Sequence, residues 1–336
     1  MAYQSVDTPK FFINILEWYD SLGHISLSSD QTGSLKYQYK LRTLPIKQES
    51  IPSFNITGLD SPFELDFIAV LGHTLGSQTR MFRLASGGGD VDSYKPHTEL
   101  VNLSTDGRTP YDGFSIIEFD GLVFNNFWFV IYDYGSNYEA NIGSIVVGST
   151  YTMPSSPNLE LTMTRDYGES KEFTTYNGSS MSNTMISKPP SWGSLGAWEL
   201  STGSGVNQAL SRSGRRSWDL KFSYMDDGDL WGVNQMLSTI SPNTAQQNID
   251  IGYESGDVTG NVFNDSILTD ENFFSQVWHK TLGGTLPFIF NPSGGGSNPN
   301  NNPDMYAICR FKENSLKATQ SAFNVYDISV SIEEVW

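Results

Sequence analysis

The sequence contains a single cysteine, Cys309, among its 336 residues. An intramolecular disulfide needs two cysteines and a zinc–thiolate cluster needs several, so both are excluded. Cys309 follows the apolar-rich residues 306–308, where a cysteine usually serves as a small buried hydrophobe in a strand rather than as a reactive thiol. We interpret Cys309 in that way.

Charged residues are scarce, and basic residues are scarcer than acidic ones. Only 17% of residues are charged, and 20 Lys and Arg stand against 37 Asp and Glu, which gives a net charge of −17. Because phosphate contacts need clustered Lys and Arg, we expect no nucleic-acid partner. The acidic balance fits a chain that repels itself until it meets a defined partner, and it fits equally well a solvated surface without a further role.

Long hydrophobic runs are missing as well. No stretch approaches the roughly 18 apolar residues that a membrane-spanning helix requires, so we expect no membrane insertion. The first nine residues are polar and do not resemble the start of a secretory leader. We therefore expect the chain to fold in a cytoplasm.

Aromatic residues and glycine are abundant: 20 Phe, 16 Tyr, 8 Trp and 31 Gly. Aromatic side chains favour strands, and glycine favours turns, so the composition predicts a mainly β protein. The pattern is strongest in residues 61–152, where short apolar runs of strand length are separated by Gly, Asp and Asn turns, at residues 67–71, 114–119, 127–132 and 142–148. This spacing predicts a β-sandwich or barrel.

The flanking residues contain further strand signals. Residues 11–16 indicate a strand or a short amphipathic segment, and residues 36–41 alternate with period two. Pro154 and Pro157 bracket small polar residues, which is typical of a domain joint. We therefore divide the chain into N-terminal strands (1–60) that belong to an assembly domain, a sandwich (61–152) and a β-rich assembly domain (153–336).

Within the last segment, residues 218–224 alternate and should place Trp218, Leu220, Phe222 and Tyr224 on one face. The only helix we predict covers residues 271–282, where the apolar residues Phe273, Phe274, Val277, Trp278 and Leu282 fall on one stripe. Thr269 or Asp270 would cap its start, and Gly283-Gly284 suits its end. Strands follow at 286–290, 305–311 and 326–332, and Trp336 implies a C-terminus that is held in place.

No motif predicts catalysis or metal binding. The four histidines are far apart in sequence, and the glycine runs lack the Lys and Ser/Thr of a phosphate-binding loop. Residues 226–229 hold three aspartates and a glycine, but without the later glutamate of a calcium loop they are interpreted as a solvated turn. We therefore expect a protein that is not an enzyme, with no catalytic residues, no metal ligands and no cofactor.

One basic cluster stands out in this acidic chain. Arg212, Arg215 and Arg216 lie within five residues. Guanidinium groups pair well with carboxylates across subunit interfaces, and they pair equally well with acids of the same chain. Both interpretations stay open at the level of the sequence.

Residues 67–75, the following aromatic hairpin and residues 142–148 resemble the galactose-binding-like β-sandwich, a module that recurs in phage tail proteins. This resemblance covers about a quarter of the chain. The family's sugar and calcium residues lie in variable loops, so none is carried over.

Residues 214–224, the helix at 271–282, residues 284–292 and 305–311 and the closing strand resemble virion proteins of tailed bacteriophages. The likeness is to tail proteins of marine phages, especially the ring-forming distal-tail or baseplate class. It implies a β-barrel or split-barrel domain with one packing helix, whose strands pair edge to edge with copies of the same chain to close a ring.

On this resemblance we expect a structural component of the phage tail or baseplate, assembled in the host cytoplasm and located in the virion. Its partners would be copies of itself and other tail proteins. The residues expected at the oligomer interface are Arg212, Arg215, Arg216, Trp218, Phe288, Phe290 and Trp336.

The alternative is a carbohydrate-binding receptor-adhesion protein of the tail that binds a host-surface glycan. Its ligand contacts would be His73, Tyr111 and Tyr134, because histidines and exposed aromatic rings line sugar sites. A glycan depolymerase is a third hypothesis, since it needs only two carboxylates in a cleft, and such a pair cannot be recognised from spacing.

Overall fold

The computed structural model describes residues 7–23, 25–27, 46–48, 54–56, 63–71, 81–86, 114–124, 127–132, 140–142, 144–166, 170–184, 215–231, 271–296, 299–300 and 305–335. These residues form a mainly β structure, and every strand pair in it is antiparallel. None of the described helices has the length and apolar character needed to cross a membrane.

The strands of the first half are β1 Lys10–Asn14, β2 Ile25–Leu27, β3 Ile46–Gln48, β4 Phe54–Ile56, β5 Phe63–Leu71, β6 Met81–Ser86, β7 Phe114–Phe124, β8 Phe127–Tyr132, β9 Ala140–Ile142 and β10 Ser144–Thr152. Those of the second half are β11 Thr162–Asp166, β12 Ser170–Thr174, β13 Ser180–Thr184, β14 Arg215–Asp226, β15 Phe288–Asn291, β16 Ala307–Phe311, β17 Ala318–Ala322 and β18 Val325–Glu334. The helices are α1 Ile15–Ser21, α2 Asp227–Leu230 and a π-helix Phe274–His279.

Ten strands make one sheet, in the order β11-β14-β18-β16-β15-β1-β10-β5-β7, with β17 added beside β18. Four separate two-stranded pairs are β12–β13, β2–β4, β3–β9 and β6–β8. The four strands predicted in residues 61–152 are confirmed as strands. The predicted galactose-binding arrangement of those strands stays a prediction.

The expected β-barrel or split barrel is wrong. The sheet does not close on itself, because its two end strands, β11 and β7, do not pair with each other. Lys10 lies opposite Asn291 of β15 on one side and opposite Thr152 of β10 on the other. The sheet therefore includes strands from all three predicted segments, and whether these segments are separate folding units stays a prediction.

The central strands bury both of their faces. In β1, Phe11 points into one apolar cluster and Phe12 into another, as the period of two requires. The same division holds in β15, where Phe288 and Phe290 lie on the side of Phe11 and Ile289 lies on the side of Phe12. All five side chains are at most 1% exposed, so the core follows both sides of the middle of the sheet.

The π-helix covers the face that contains Phe11. Phe273 packs edge-on against Phe11 at 5.8 Å between ring centroids, and Trp278 packs against Phe311 at 5.0 Å. The predicted apolar stripe is therefore buried at Phe273, Val277 and Trp278.

The helix is shorter than predicted, and its turns are those of a π-helix, which are wider than the turns of an α-helix. Just before the helix, Oδ1 of Asn272 accepts the amide of Ser275 at 2.8 Å, whereas the predicted caps Thr269 and Asp270 lie outside the described residues. Leu282 is not helical and has a φ of +53°. Gly283 and Gly284 follow with positive φ, as predicted for the end of the helix.

The start of the chain also divides differently from the prediction. Residues 11–16 split between β1 and α1, and the Oδ1 of Asn14 accepts the amide of Glu17 to cap that helix. The predicted strand at 36–41 lies outside the described residues. Asp226 ends β14 and caps α2, and residues 227–229 lie in that helix rather than in a solvated turn; Asp227 is only 1% exposed.

The predicted face of β14 is confirmed at three residues and wrong at the fourth. Trp218, Leu220 and Phe222 are buried, but a shift in register between Phe222 and Met225 interrupts the alternation. Met225 takes the core position, and Tyr224 is 83% exposed with a φ of +62°. A bulge of this kind re-aims a side chain without ending the strand.

We predict that Gly148→Ala destabilises the sheet. Gly148 lies opposite Asn14, and an added Cβ would overlap the carbonyl oxygen of Ile13 and lie 2.9 Å from the amide nitrogen of Ile15. Overpacking of this kind costs about 1–3 kcal/mol, which urea denaturation would measure as a loss in the free energy of unfolding. Gly228→Ala is the control, because nothing lies within 4 Å of its added Cβ. Equal stability of the two variants would contradict the prediction.

A second prediction concerns acid stability. Burial lowers the pKa of His279 from its ordinary value of 6.5, and the positive charge of Lys280 lowers it further. Below pH 6.5 the unfolded chain takes up a proton at this residue before the folded chain does, so the free energy of unfolding falls as the pH falls. We expect His279→Gln to lose less stability than the wild type between pH 7 and about pH 5 in urea denaturation. Parallel curves for the two proteins would refute this role.

Candidate interaction surface

Strand β11 is the last strand at one end of the sheet. It pairs with β14, with Met163 opposite Trp218, and the described residues include no strand on its other side. All five of its residues are exposed. Strands in this position present their outward N–H and C=O groups to any partner that can pair with them.

The residues before and within β11 alternate between two faces. The Nδ2 of Asn158 donates to the Oγ of Ser223 at 2.9 Å, and Glu160 pairs with Lys221 at 3.8 Å, both on the face away from the core. Leu161, between them and β11, packs against the core cluster that contains Phe11. Leu159 and Met163 therefore lie on the same side as Leu161, and they are 86% and 49% exposed. The apolar face of the sheet continues here into solvent.

The hairpin β12–β13 begins at Ser170, four residues after β11 ends. Phe173 lies directly opposite Met181, so both belong to one face, and they are 48% and 50% exposed. Thr174 lies opposite Ser180 on the other face. An exposed hairpin with an apolar pair on one face only is marginally stable alone and is typical of a strand pair that packs on another surface.

The tip of the hairpin is a compact turn. The amide of Thr175 donates to the carbonyl of Ser179 at 2.8 Å, and the amide of Gly178, which has a φ of +79°, donates to the carbonyl of Thr175 at 2.9 Å. Tyr176, which lies between Thr175 and Gly178 in this turn, is fully exposed. We define the edge surface as the exposed apolar residues before and within β11 and in this hairpin: Leu159, Met163, Phe173, Tyr176 and Met181.

Half of the residues predicted as functional lie outside the described residues. These are Arg212 and Trp336 of the predicted interface and His73, Tyr111 and Tyr134 of the predicted ligand contacts. Arg215 is described and half-buried at the start of β14, opposite Asp166.

Three predicted interface residues are core residues of the single chain. Trp218 is 2% exposed, and Phe288 and Phe290 are completely buried. Trp218 packs edge-on against Phe290 at 5.3 Å. Side chains enclosed in this way offer no surface to a partner, and their apolar character reflects the packing of one subunit.

Arg216 pairs within its own chain, which is the second of the two interpretations of the basic cluster. Its Nη2 lies 3.0 Å from Oε1 of Glu334, and its Nε donates to Oε2 at 3.2 Å. Its amide donates to the same Oε2 at 2.9 Å, and Nη2 also donates to the carbonyl of Tyr306 at 2.7 Å. Both side chains are buried, so this forked pair fastens the end of β18 to the start of β14.

The remaining ionisable groups with shifted pKa values are explained by packing. Burial raises the pKa of the Cys309 thiol well above its ordinary value, and the negative charge of Glu334 raises it further, so the thiol is not activated. Burial also raises the pKa of Asp66, although Asp66 accepts hydrogen bonds from the amide and hydroxyl of Thr150 at 2.7 and 2.9 Å.

Among the described residues, no three His, Cys, Asp or Glu side chains are grouped so that they would hold a metal ion.

The edge surface was not predicted from the sequence. Apolar and polar residues alternate at 159–164, but alternation alone does not distinguish a covered face from an open one. The hairpin falls in a segment rich in Ser, Gly and Asn that predicts loops with short strands. The available signal was the isolated apolar pair Phe173 and Met181 on either side of the Asn177-Gly178 turn.

No protein-family model matches this chain, and neither the curated proteins nor the solved structures include a match to it.

The buried ion pair leads to a prediction about stability. Glu334→Ala would leave the Arg216 guanidinium buried without its carboxylate, and we expect a loss of about 3–5 kcal/mol in the free energy of unfolding. The double variant Arg216→Met, Glu334→Leu should regain part of that loss, because it removes both charges. Urea denaturation of the two variants measures this, and a double variant no more stable than Glu334→Ala would contradict it.

Proposed function

We propose that the chain is a structural subunit of a phage tail or baseplate that assembles into an oligomeric ring with copies of itself and other tail proteins. The observation that supports this proposal is the edge surface, where the apolar face of the sheet and the apolar pair of the hairpin are open to solvent. Several large apolar side chains exposed on consecutive elements of a folded chain favour an interaction site.

The open sheet supports the same proposal. A strand at the end of a sheet favours pairing with another chain, and closed rings remove such exposed ends. A ring also explains why a mainly β chain keeps Met163 and Phe173 outside its core, since a neighbouring subunit would cover them. The virion location and the assembly in the host cytoplasm are parts of this proposal.

The proposal includes a galactose-binding-like sandwich in residues 61–152. Its support is the set of antiparallel strands β5, β7 and β10 in the large sheet and the pair β6–β8 beside it in sequence. A module of this kind would add a surface for a host glycan to the structural role, with His73, Tyr111 and Tyr134 as the residues to substitute in glycan-binding measurements.

The assembly can be tested on the purified chain. We expect light scattering after size exclusion to give the mass of several subunits for the wild type, and negative-stain images to show closed rings. Met163→Asp should reduce the mass, because a charge would lie on the apolar face at the edge. Thr164→Asp is the matched control, since the next residue along β11 points to the opposite face.

A wild type that stays monomeric at the highest concentration would refute the assembly. The assignment to a phage has its own test, which is the detection of the polypeptide by mass spectrometry in purified phage particles. Loss of folding as the cause of a reduced mass is checked by the melting temperatures of both variants.

A further inference from the structure

Strand β14 begins with basic residues and ends with acidic ones. At the level where β14 starts, the strands β11, β14, β16 and β18 bring together four guanidinium groups and three carboxylates: Arg165, Arg215, Arg216 and Arg310 with Asp166, Glu333 and Glu334. Four positive and three negative groups give this region a net charge of +1, whereas the whole chain has a net charge of −17. We call this region the basic end.

The opposite end of the same strands is acidic. Asp226 ends β14, Asp227 and Asp229 follow in α2, and Asp327 lies near the start of β18. Residues 222–230 and 320–328 contain no Lys or Arg. Burial raises the pKa of Asp229, and the negative charge of Asp226 raises it further. We call this region the acidic end.

Each end also exposes apolar side chains. The hairpin with Phe173, Tyr176 and Met181 follows the basic end in sequence, starting four residues after Asp166. At the acidic end Tyr224 is 83% exposed and Phe323 is 70% exposed. These two residues have no place in the core of the single chain.

The backbone at the acidic end is held in a conformation that projects these rings. Tyr224 has a φ of +62° in the bulge of β14, and its amide donates to Oδ1 of Asp327 at 3.1 Å. Asn324, next to Phe323, has a φ of +55° in the turn between β17 and β18. A bulky residue such as tyrosine rarely adopts positive φ, and strain of this kind concentrates at functional sites.

The two ends are too far apart to belong to one patch. They are separated by most of β14, whose 12 residues extend roughly 40 Å at about 3.3 Å per residue. A contact between two different patches on identical subunits is head-to-tail, and it closes into a ring when the rotation permits.

We propose that the basic end of one copy, with the hairpin residues Phe173 and Met181, docks on the acidic end of a second copy, with Tyr224 and Phe323. This inference rests on the proposed function and names the two surfaces that meet. Opposite charge favours the head-to-tail contact, since basic Arg165 meets Asp226 and Asp327. Contacts between like acidic ends would place carboxylates against carboxylates.

Two variants test the contact. The basic-end variant is Phe173→Ser, Met181→Ser, and the acidic-end variant is Tyr224→Asn, Phe323→Ser. All four side chains are exposed, and asparagine tolerates positive φ, so both proteins should melt near the wild-type temperature. Leu22→Ser, which alters an exposed leucine at the end of α1, is the control.

We expect each variant alone to be monomeric in native mass spectrometry at concentrations where the wild type and Leu22→Ser assemble, with an apparent dissociation constant at least about tenfold higher. An equal mixture of the two variants should form a 1:1 heterodimer that grows no further. That dimer contains one intact contact, and its two remaining ends are the altered ones.

The outcomes separate this contact from the assembly in general. Variants that assemble like the wild type, or a mixture that gives no heterodimer, would overturn the head-to-tail contact and leave the proposed oligomer in place. A wild type that remains monomeric would overturn both. A weaker association at high salt would support the charged part of the contact, because salt screens exposed charges.

Discussion

Strand β1 holds the large sheet together, and it can do so only because both of its faces are buried. It is the only link in the strand order between β10-β5-β7 and β15-β16-β18-β14-β11 among the described residues. Phe11 contacts the rings of Phe273, Phe288, Phe290 and Phe311 on one side, with centroids 5.2–6.1 Å apart. Phe12 contacts Phe67 and Tyr306 on the other side. Since the partners come from distant parts of the sequence, the sheet depends on non-local pairing, which forms slowly in folding chains.

A sheet built outward from a central strand has ends, and the ends determine where the chain can meet a partner. The apolar alternation that fills the core at Trp218 and Phe290 continues through Leu161 to Met163 and Leu159, where the covering elements stop. The same physical property that stabilises the middle of the sheet therefore leaves apolar surface at β11. A partner that covers this surface would bury it at a favourable free energy of roughly 25 cal/mol for each Å² of apolar area removed from water.

The sequence predicts the class of the fold and much of the core, because period-two alternation reports on one strand at a time. It does not predict which strands pair. The prediction of a barrel was wrong for that reason, and the strands form an open sheet. Tyr224 shows a related limit: the alternation from Trp218 extends to it, but a bulge shifts the register by one position and Met225 enters the core. The stripe from Phe273 to Trp278 predicts a helix correctly and cannot distinguish an α-helix from a π-helix. The partner of Arg216 is Glu334, 118 residues away, so no local pattern could decide between an internal pair and an interface.

The distribution of charge along β14 bears on the proposed assembly. A net charge of −17 opposes association of identical chains, yet screening limits this repulsion to about 8–10 Å at ordinary salt concentrations, so the charges at the contact decide the outcome. Like ends in contact would add carboxylates to carboxylates, whereas a basic end against an acidic end reduces the repulsion and covers exposed aromatic rings on both sides. The Arg216–Glu334 pair contributes nothing to this difference because its charges cancel inside the chain. The asymmetry that remains comes from Arg165, Arg215 and Arg310, which outnumber Asp166 and Glu333 at one end, and from Asp226 and Asp327 at the other. This asymmetry would give the proposed contact its direction.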